Sequence, residues 1–65
     1  MKNIEITYIK DFLDNGYTIV YEDAYTMGNV IDIEEEYAYL IDFTTEEEFS
    51  IDLTTVHYRT FNFYK

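Results

Sequence analysis

The fold of this chain is decided by residues 31–63, which read IDIEEEYAYLIDFTTEEEFSIDLTTVHYRTFNF. An apolar-polar-apolar triplet returns there every ten residues, as Ile31-Asp32-Ile33, Ile41-Asp42-Phe43, Ile51-Asp52-Leu53 and Phe61-Asn62-Phe63. Strands that recur at intervals of about 8 to 12 residues are typical of an antiparallel meander. Because side chains alternate along a strand, the flanking apolar residues are expected to face the core and the middle polar residue to face solvent.

This alternation predicts a sheet with one acidic face and one apolar face. The predicted acidic face carries Glu22, Asp32, Glu34, Glu36, Asp42 and Asp52. The predicted core face carries Ile19, Tyr21, Ile31, Ile33, Tyr39, Ile41, Phe43, Ile51 and Leu53. An antiparallel sheet of this kind needs cover on its apolar face only, and a single helix can supply it.

The N-terminal segment Ile4 to Leu13 can be interpreted in two ways. Ile6, Ile9, Phe12 and Leu13 share a helical face, whereas Ile4, Ile6 and Tyr8 alternate as in a strand. The helix is favoured because Asn15-Gly16 provides a left-handed C-cap directly before a β-type run, and Asn3 is the expected N-cap. The predicted fold is therefore α+β, with a short N-terminal helix packed on one face of a small antiparallel meander, and all-β is the alternative.

Two further segments bear on where the strands lie. Tyr17 to Glu22 is β-branched and aromatic, which predicts a strand, and Ala24 to Asn29 is expected to be a loop or wide turn. Thr44 to Phe49 begins like a capping box and can start a helix. The β-branched residues at positions 51 and 54–56 instead favour a strand after a tight connection.

Length and composition limit the classes of protein that fit. A chain of 65 residues with 48% hydrophobic and 20% aromatic residues is expected to fold as one small acidic domain, residues 1–65, with a thin core. The absence of cysteine excludes a disulfide scaffold and thiolate metal sites. No signal peptide or membrane span is apparent at the N-terminus or elsewhere, so a soluble cytoplasmic protein is expected.

No catalytic or cofactor motif is present. His57 and Ser50 are the only residues of their types, and no glycine elbow or third partner accompanies them. The triplets Glu34 to Glu36 and Glu46 to Glu48 do not match a calcium loop. We therefore expect a non-enzyme with no metal and no cofactor.

The charge distribution is the strongest functional signal. The formal net charge is -10, and every acidic residue except Glu5 lies between Asp11 and Asp52, a stretch without Lys or Arg. Solubility needs a net charge of only about 2 to 8, and further like charge destabilises the compact state. Two interpretations stay open: the acids form a solvated surface, or they mimic the regularly spaced anions of nucleic acid.

In its overall character the chain resembles the small acidic proteins with which phages and mobile elements block host nucleic-acid enzymes, including anti-CRISPR proteins, anti-restriction proteins and uracil-DNA glycosylase inhibitors. The resemblance rests on the short length, the one-signed stretch from Asp11 to Asp52, the lack of cysteine and catalytic groups, and the aromatic content. It implies an inhibitor acting inside a host bacterial cell, and it transfers no role to any residue.

The functional hypothesis is an inhibitor that occupies the basic groove of a nucleic-acid-processing host protein and binds neither nucleic acid nor membrane itself. The expected contacts are Asp32, Glu34, Glu35, Glu36, Tyr37, Asp42, Glu46, Glu47, Glu48 and Asp52, with Tyr37 as an aromatic anchor. The alternative is a non-catalytic interaction module that uses its aromatic surface or a sheet edge, for example as a homodimer.

Overall fold

The computed structural model describes all 65 residues and has an α+β architecture, as predicted. One helix, α1 (Asn3–Asp14), precedes five strands: β1 (Thr18–Glu22), β2 (Met27–Glu34), β3 (Tyr37–Asp42), β4 (Glu48–Asp52) and β5 (Phe61–Tyr64). Two short 3-10 helices, Leu53–Thr55 and Tyr58–Thr60, lie between β4 and β5. The helical interpretation of the N-terminal segment is therefore correct, and the all-β alternative is wrong.

The C-terminal end of α1 is fixed by Asn15 and Gly16, as the sequence predicted. Gly16 has a φ of +83°, and its N–H donates to the Leu13 carbonyl at 3.1 Å. The N–H of Tyr17 donates to the Phe12 carbonyl at 3.0 Å, which completes a Schellman motif. The rings of Phe12 and Tyr17 pack with their centroids 4.8 Å apart, so the helix stop also sets the path into β1.

The N-terminal end of α1 differs from the prediction by one residue. Lys2, and not Asn3, is the N-cap, and its backbone N–H donates to a Glu5 carboxylate oxygen at 2.7 Å. Asn3 is already helical because this backbone donor is satisfied by Glu5 from within the first turn. The Met1 ammonium group donates to the carbonyls of Leu53, Thr54 and Val56 at 2.8 to 3.1 Å, which ties the start of the chain to the segment after β4.

The sheet is antiparallel, with the strand order β4-β3-β2-β1-β5. The first four strands form a meander, as expected. The fifth does not continue it, because the chain crosses from one edge of the sheet to the other and β5 pairs with β1. Leu53, Val56 and Tyr58 of this crossing segment pack against the core, so they cover the same face of the sheet as α1.

The core is small, and all of its buried side chains belong to hydrophobic residues. Ile6 and Ile9 of α1 lie against buried residues of the strands and of the crossing segment, and no charged residue is buried. The remaining members of the core are Ile19, Tyr21, Val30, Ile33, Ala38, Leu40, Leu53 and Phe61. We call the sheet face that carries these strand residues the inner face and the opposite one the outer face.

The predicted division between the two faces is wrong at one residue of β2, Ile31. The register between β2 and β3 shifts between Val30 and Asp32, so a bulge places Val30 and Ile33 in the core. Ile31, predicted to be buried, is 44% exposed. The bulge adds one residue to β2, so Ile31 points away from the core, whereas Asp32 is exposed and Ile33 is buried as predicted.

The division is also wrong in β3. Ala38 and Leu40 are fully buried, whereas Tyr39 and Ile41 lie on the outer face and Phe43 is 51% exposed after the strand has ended. Every residue from position 37 to 41 is apolar or aromatic, so hydropathy alone does not distinguish the two faces of β3. In β4 and β5 the predicted alternation is correct, because Ile51 of β4 packs against the core and Phe61 of β5 is buried.

Two other local predictions need correction. The expected loop from Ala24 to Asn29 is shorter, because β2 already begins at Met27 and Gly28 is a buried strand residue. The expected strand through Thr54 and Thr55 ends at Asp52. Its carboxylate accepts hydrogen bonds from the Thr54 N–H at 2.9 Å and the Thr54 hydroxyl at 2.6 Å, and these start a 3-10 turn.

Candidate functional site on the outer sheet face

The outer face of the sheet is covered by neither α1 nor the crossing segment. Strand register arranges its side chains in rows that run across the strands. One row joins Asp52, Tyr37 and Glu34, and a second joins Ser50, Tyr39 and Asp32. A third row joins Glu48, Ile41, Asn29, Val20 and Asn62. Carboxylates and aromatic or aliphatic groups therefore alternate on one exposed surface.

Apart from Asp32, which lies beside Tyr39 in the second row, the acidic residues form two groups at opposite ends of this face. The hairpin group comprises Glu34, Glu35, Glu36 and Asp52, around the turn from β2 to β3. The loop group comprises Glu22, Asp42, Glu46, Glu47 and Glu48, at the other end of the same strands. Glu48 and Asp52 mark the two ends on β4, about 13 Å apart at the rise of an extended strand.

A strip of apolar and aromatic side chains separates the two acidic groups. Tyr39 and Ile41 are half-buried on it, and Ile31 is exposed beside them. Ile31 and Tyr39 line a shallow groove of about 350 Å³ together with Asp32, Glu34 and Glu48. Tyr37 is 41% exposed and lies between the strip and the hairpin group, so the predicted aromatic anchor is accessible.

Three of the predicted contact residues are already engaged in local hydrogen bonds. The Asp42 carboxylate accepts the N–H groups of Thr44 and Thr45 at 2.7 and 3.0 Å. The Asp52 carboxylate binds Thr54, and these hydrogen bonds, first from the hydroxyl and then from the N–H, lower its pKa. Asp32 accepts the N–H of Ile33 at 2.9 Å. Each of these aspartates stabilises the backbone as well as contributing charge.

Asp42 departs from the predicted acidic face in a second respect. It is paired with Gly28, which is an inner-face residue, and it is half-buried at the end of β3. Its carboxylate therefore serves the turn from β3 to β4, and it belongs to the loop group only by position. Glu36 likewise lies in the turn between β2 and β3 and not on a strand.

The glutamates of the two triplets are the most accessible anions. Residues 34–36 and 46–48 are all exposed. Glu35 and Glu46 have left-handed backbone conformations, with φ of 55° and 62°. Residues other than glycine, asparagine and aspartate seldom adopt this conformation, so each triplet holds one glutamate at a position where turn geometry alone favours another residue.

The groups considered for catalysis and metal binding are dispersed. Ser50 is exposed on β4, whereas His57 is exposed in the crossing segment. No three His, Asp or Glu side chains are grouped in an arrangement that could hold a metal ion.

Sequence reasoning found the exposed acids but missed the strip between them. Ile31, Tyr39 and Ile41 are among the residues that the alternation predicts to face the core. A usable signal was present in β3, where tyrosines at 37 and 39 alternate with Ala38 and Leu40. Burying the aliphatic pair leaves no hydroxyl in need of a partner, whereas burying the tyrosines leaves two.

Comparison of the chain with protein-family models, with curated proteins and with solved structures finds no match. The only helix, α1, has 12 residues, and no helix is long and apolar enough to cross a membrane.

Proposed function

We propose that this protein is a non-catalytic inhibitor that occupies the basic nucleic-acid-binding groove of a host enzyme, as anti-CRISPR and anti-restriction proteins of the mimic type do. The observation that carries the proposal is the arrangement of the outer face, where two acidic groups flank an aromatic and aliphatic strip. The resemblance in length and charge to phage inhibitors supports the same function.

The arrangement matches the main features of a nucleic-acid groove. In B-DNA two anionic backbones flank the base edges, across a major groove about 12 Å wide. On the outer face the anionic ends of β4 are separated by about 13 Å. Tyr37, Tyr39 and Ile31 lie between the two groups and offer the flat or apolar contacts that bases offer to a protein.

The charge also favours this class of partner over nucleic acid. A net charge of -10 repels DNA and RNA and attracts a basic groove. Steering of this kind raises association rates from about 10⁵–10⁶ to as much as about 10⁸–10⁹ M⁻¹s⁻¹ at low salt. We expect the complex to form rapidly at low salt and to weaken as salt is added.

The first experiment is to capture the partner and test what it loses. The protein carries a tag after Lys65, which leaves the hydrogen bonds of the Met1 ammonium group intact. It is exposed to a nuclease-treated bacterial lysate at low salt and eluted with a salt gradient. The proposal requires a nucleic-acid enzyme that elutes with salt and loses binding of its DNA or RNA when the inhibitor is present. A captured enzyme that binds this protein and its own nucleic acid at the same time would contradict the proposal.

A pair of charge-matched variants then tests the outer face. Glu34→Lys and Asp14→Lys each change the net charge from -10 to about -8, since each replaces one carboxylate by an ammonium group. Glu34 lies on the outer face and Asp14 at the end of α1, and both are exposed. We expect Glu34→Lys to weaken the complex at least about tenfold, or about 1.4 kcal/mol, and Asp14→Lys to weaken it less than about twofold. Equal effects would show that only total charge matters.

A second candidate function is self-association through the outer face, and the exposed apolar side chains favour it. Met27, Ile31 and Phe43 are 40%, 44% and 51% exposed near the strip. A homodimer built on them would be insensitive to salt or strengthened by it, because salt screens the repulsion between two acidic copies. Light scattering at low and high salt distinguishes this function, since a monomer under both conditions eliminates it.

A further inference from the structure

A second recessed surface lies on the helix-covered side of the molecule, between α1 and the end of β5. We call it the aromatic cleft. Tyr8, Phe12, Tyr17 and Tyr58 form its aromatic lining, and its volume is about 510 Å³. Asp11, Asn15 and Lys65 supply its polar groups. It shares no residue with the outer face.

The walls of the aromatic cleft are held by ring-to-ring packing. Phe12 contacts Tyr17 edge-on at 4.8 Å between centroids and Phe63 at 4.6 Å. Phe63 in turn contacts Tyr58 at 5.6 Å. Because the Schellman motif fixes Tyr17 against Phe12, the cleft exists before any ligand arrives, and little ordering is needed for binding.

The cleft already contains a cation. The Lys65 Nζ lies 5.2 Å from the centroid of the Tyr17 ring, within the distance at which an ammonium group is attracted to the face of an aromatic ring. The exposed carboxylate of Asp11 lines the same cleft. An aromatic face and a carboxylate together favour a cation, and the net charge of -10 concentrates cations near the surface.

We infer that the aromatic cleft is a docking site for an arginine side chain of a basic partner protein, and that Lys65 is an internal occupant which the arginine displaces. Arginine fits better than lysine, because its planar guanidinium group stacks on rings and binds a carboxylate through two parallel hydrogen bonds. The compact ammonium group of Lys65 is more strongly hydrated and stacks less well. This inference does not depend on the proposed function, since the two surfaces are separate.

Nuclear magnetic resonance titration of the full chain tests the inference. The probe is N-acetyl-arginine amide, and its matched control is N-acetyl-citrulline amide, which has the same shape without the charge. At constant ionic strength we expect saturable shifts of the Tyr8 and Tyr17 ring signals with the arginine probe and at least fivefold weaker binding of the citrulline control. Tyr25, which is 96% exposed, reports non-specific association in the same sample. Shifts that grow linearly, that are equal for both probes, or that are as large at Tyr25 would overturn the inference.

Four variants test the individual contacts. Asp11 is exposed, and Asp11→Asn is expected to weaken binding of the arginine probe about threefold or more. Tyr17→Leu is expected to abolish binding, whereas Tyr25→Leu is expected to leave it unchanged. Lys65→Gln is expected to tighten binding about two- to threefold, because the internal competitor is gone. Lys2→Gln makes the same change in net charge away from the cleft, so equal effects of the two lysine substitutions would refute displacement.

Discussion

Gly28→Ala is the substitution that tests most directly how the sheet is packed. Gly28 is buried in β2 between Tyr21 of β1 and Asp42 of β3. A Cβ atom at this position would lie 2.9 Å from the Ile41 carbonyl oxygen and 3.0 Å from two carbons of the Phe49 ring. The Ile41 oxygen belongs to the backbone of the neighbouring strand, so it cannot rotate away.

The expected cost follows from two opposing effects. Extra volume in a packed core costs about 1–3 kcal/mol. Alanine restricts the unfolded chain more than glycine does, which stabilises the folded state by about 0.4–1 kcal/mol. This gain applies at position 28 because the backbone of Gly28 is not in the left-handed region. We expect a net loss of about 1–2 kcal/mol in the free energy of unfolding, a large part of the roughly 3–10 kcal/mol typical of a domain of this size.

Urea unfolding followed by far-ultraviolet circular dichroism measures this loss. A double-mutant cycle with Phe49→Leu separates the ring from the carbonyl, since the ring supplies two of the three close contacts. Gly28→Ala should cost about 1 kcal/mol less in the Phe49→Leu background. An unchanged or raised stability of Gly28→Ala would show that a side chain fits at position 28, and an equal cost in both backgrounds would show that the Phe49 ring does not oppose it.

Three further predictions concern the helix stop, the hairpin turn and one tyrosine. A Cβ atom at Gly16 would have no atom within 4 Å, yet its φ of +83° disfavours a side chain. Gly16→Ala should therefore lower the free energy of unfolding by about 1 kcal/mol, measured by the same urea unfolding. Glu35→Gly should raise the free energy of unfolding by about 0.5–1 kcal/mol because φ is 55°, and an equal gain in Glu35→Gln would assign the effect to charge. Burial, and then the hydrogen bond to the Asp23 carboxylate, raises the pKa of Tyr21 from 10.0 to about 12. The folded state therefore retains a proton that the unfolded state loses, so stability should fall from pH 10 to about pH 12, and Tyr21→Phe should remove this part of the fall in pH-dependent urea unfolding.

The exposure of the acidic residues of the candidate site was predictable from the sequence, whereas their hydrogen bonds and the apolar strip between them were not. Carboxylates are rarely buried without a partner, so the exposure of the glutamate triplets followed from the sequence alone. The local hydrogen bonds of Asp42 and Asp52 were not anticipated, because they depend on where β3 and β4 end. The apolar strip was missed because Tyr39 and Ile41 are as compatible with a core as with an exposed face.

The sequence by itself determined the elements whose causes are local. Asn15-Gly16 ends α1 because a left-handed residue closes the helix through hydrogen bonds within one turn. The recurring triplets predict strands because alternation is a property of a single strand. The excess of negative charge over residues 11–52 is likewise a fact of composition.

Only the tertiary structure decided which side of the sheet each strand presents and which strands are neighbours. A bulge of one residue turns Ile31 of β2 away from the core, and β3 is apolar on both sides, so its orientation is set by the strands paired with it. Gly28 is a typical turn residue in the sequence, yet it pairs with Tyr21 and Asp42 in the sheet, and the Phe49 ring packs where a side chain would lie. These choices depend on contacts between residues distant in the chain, which a local pattern of hydrophobicity does not specify.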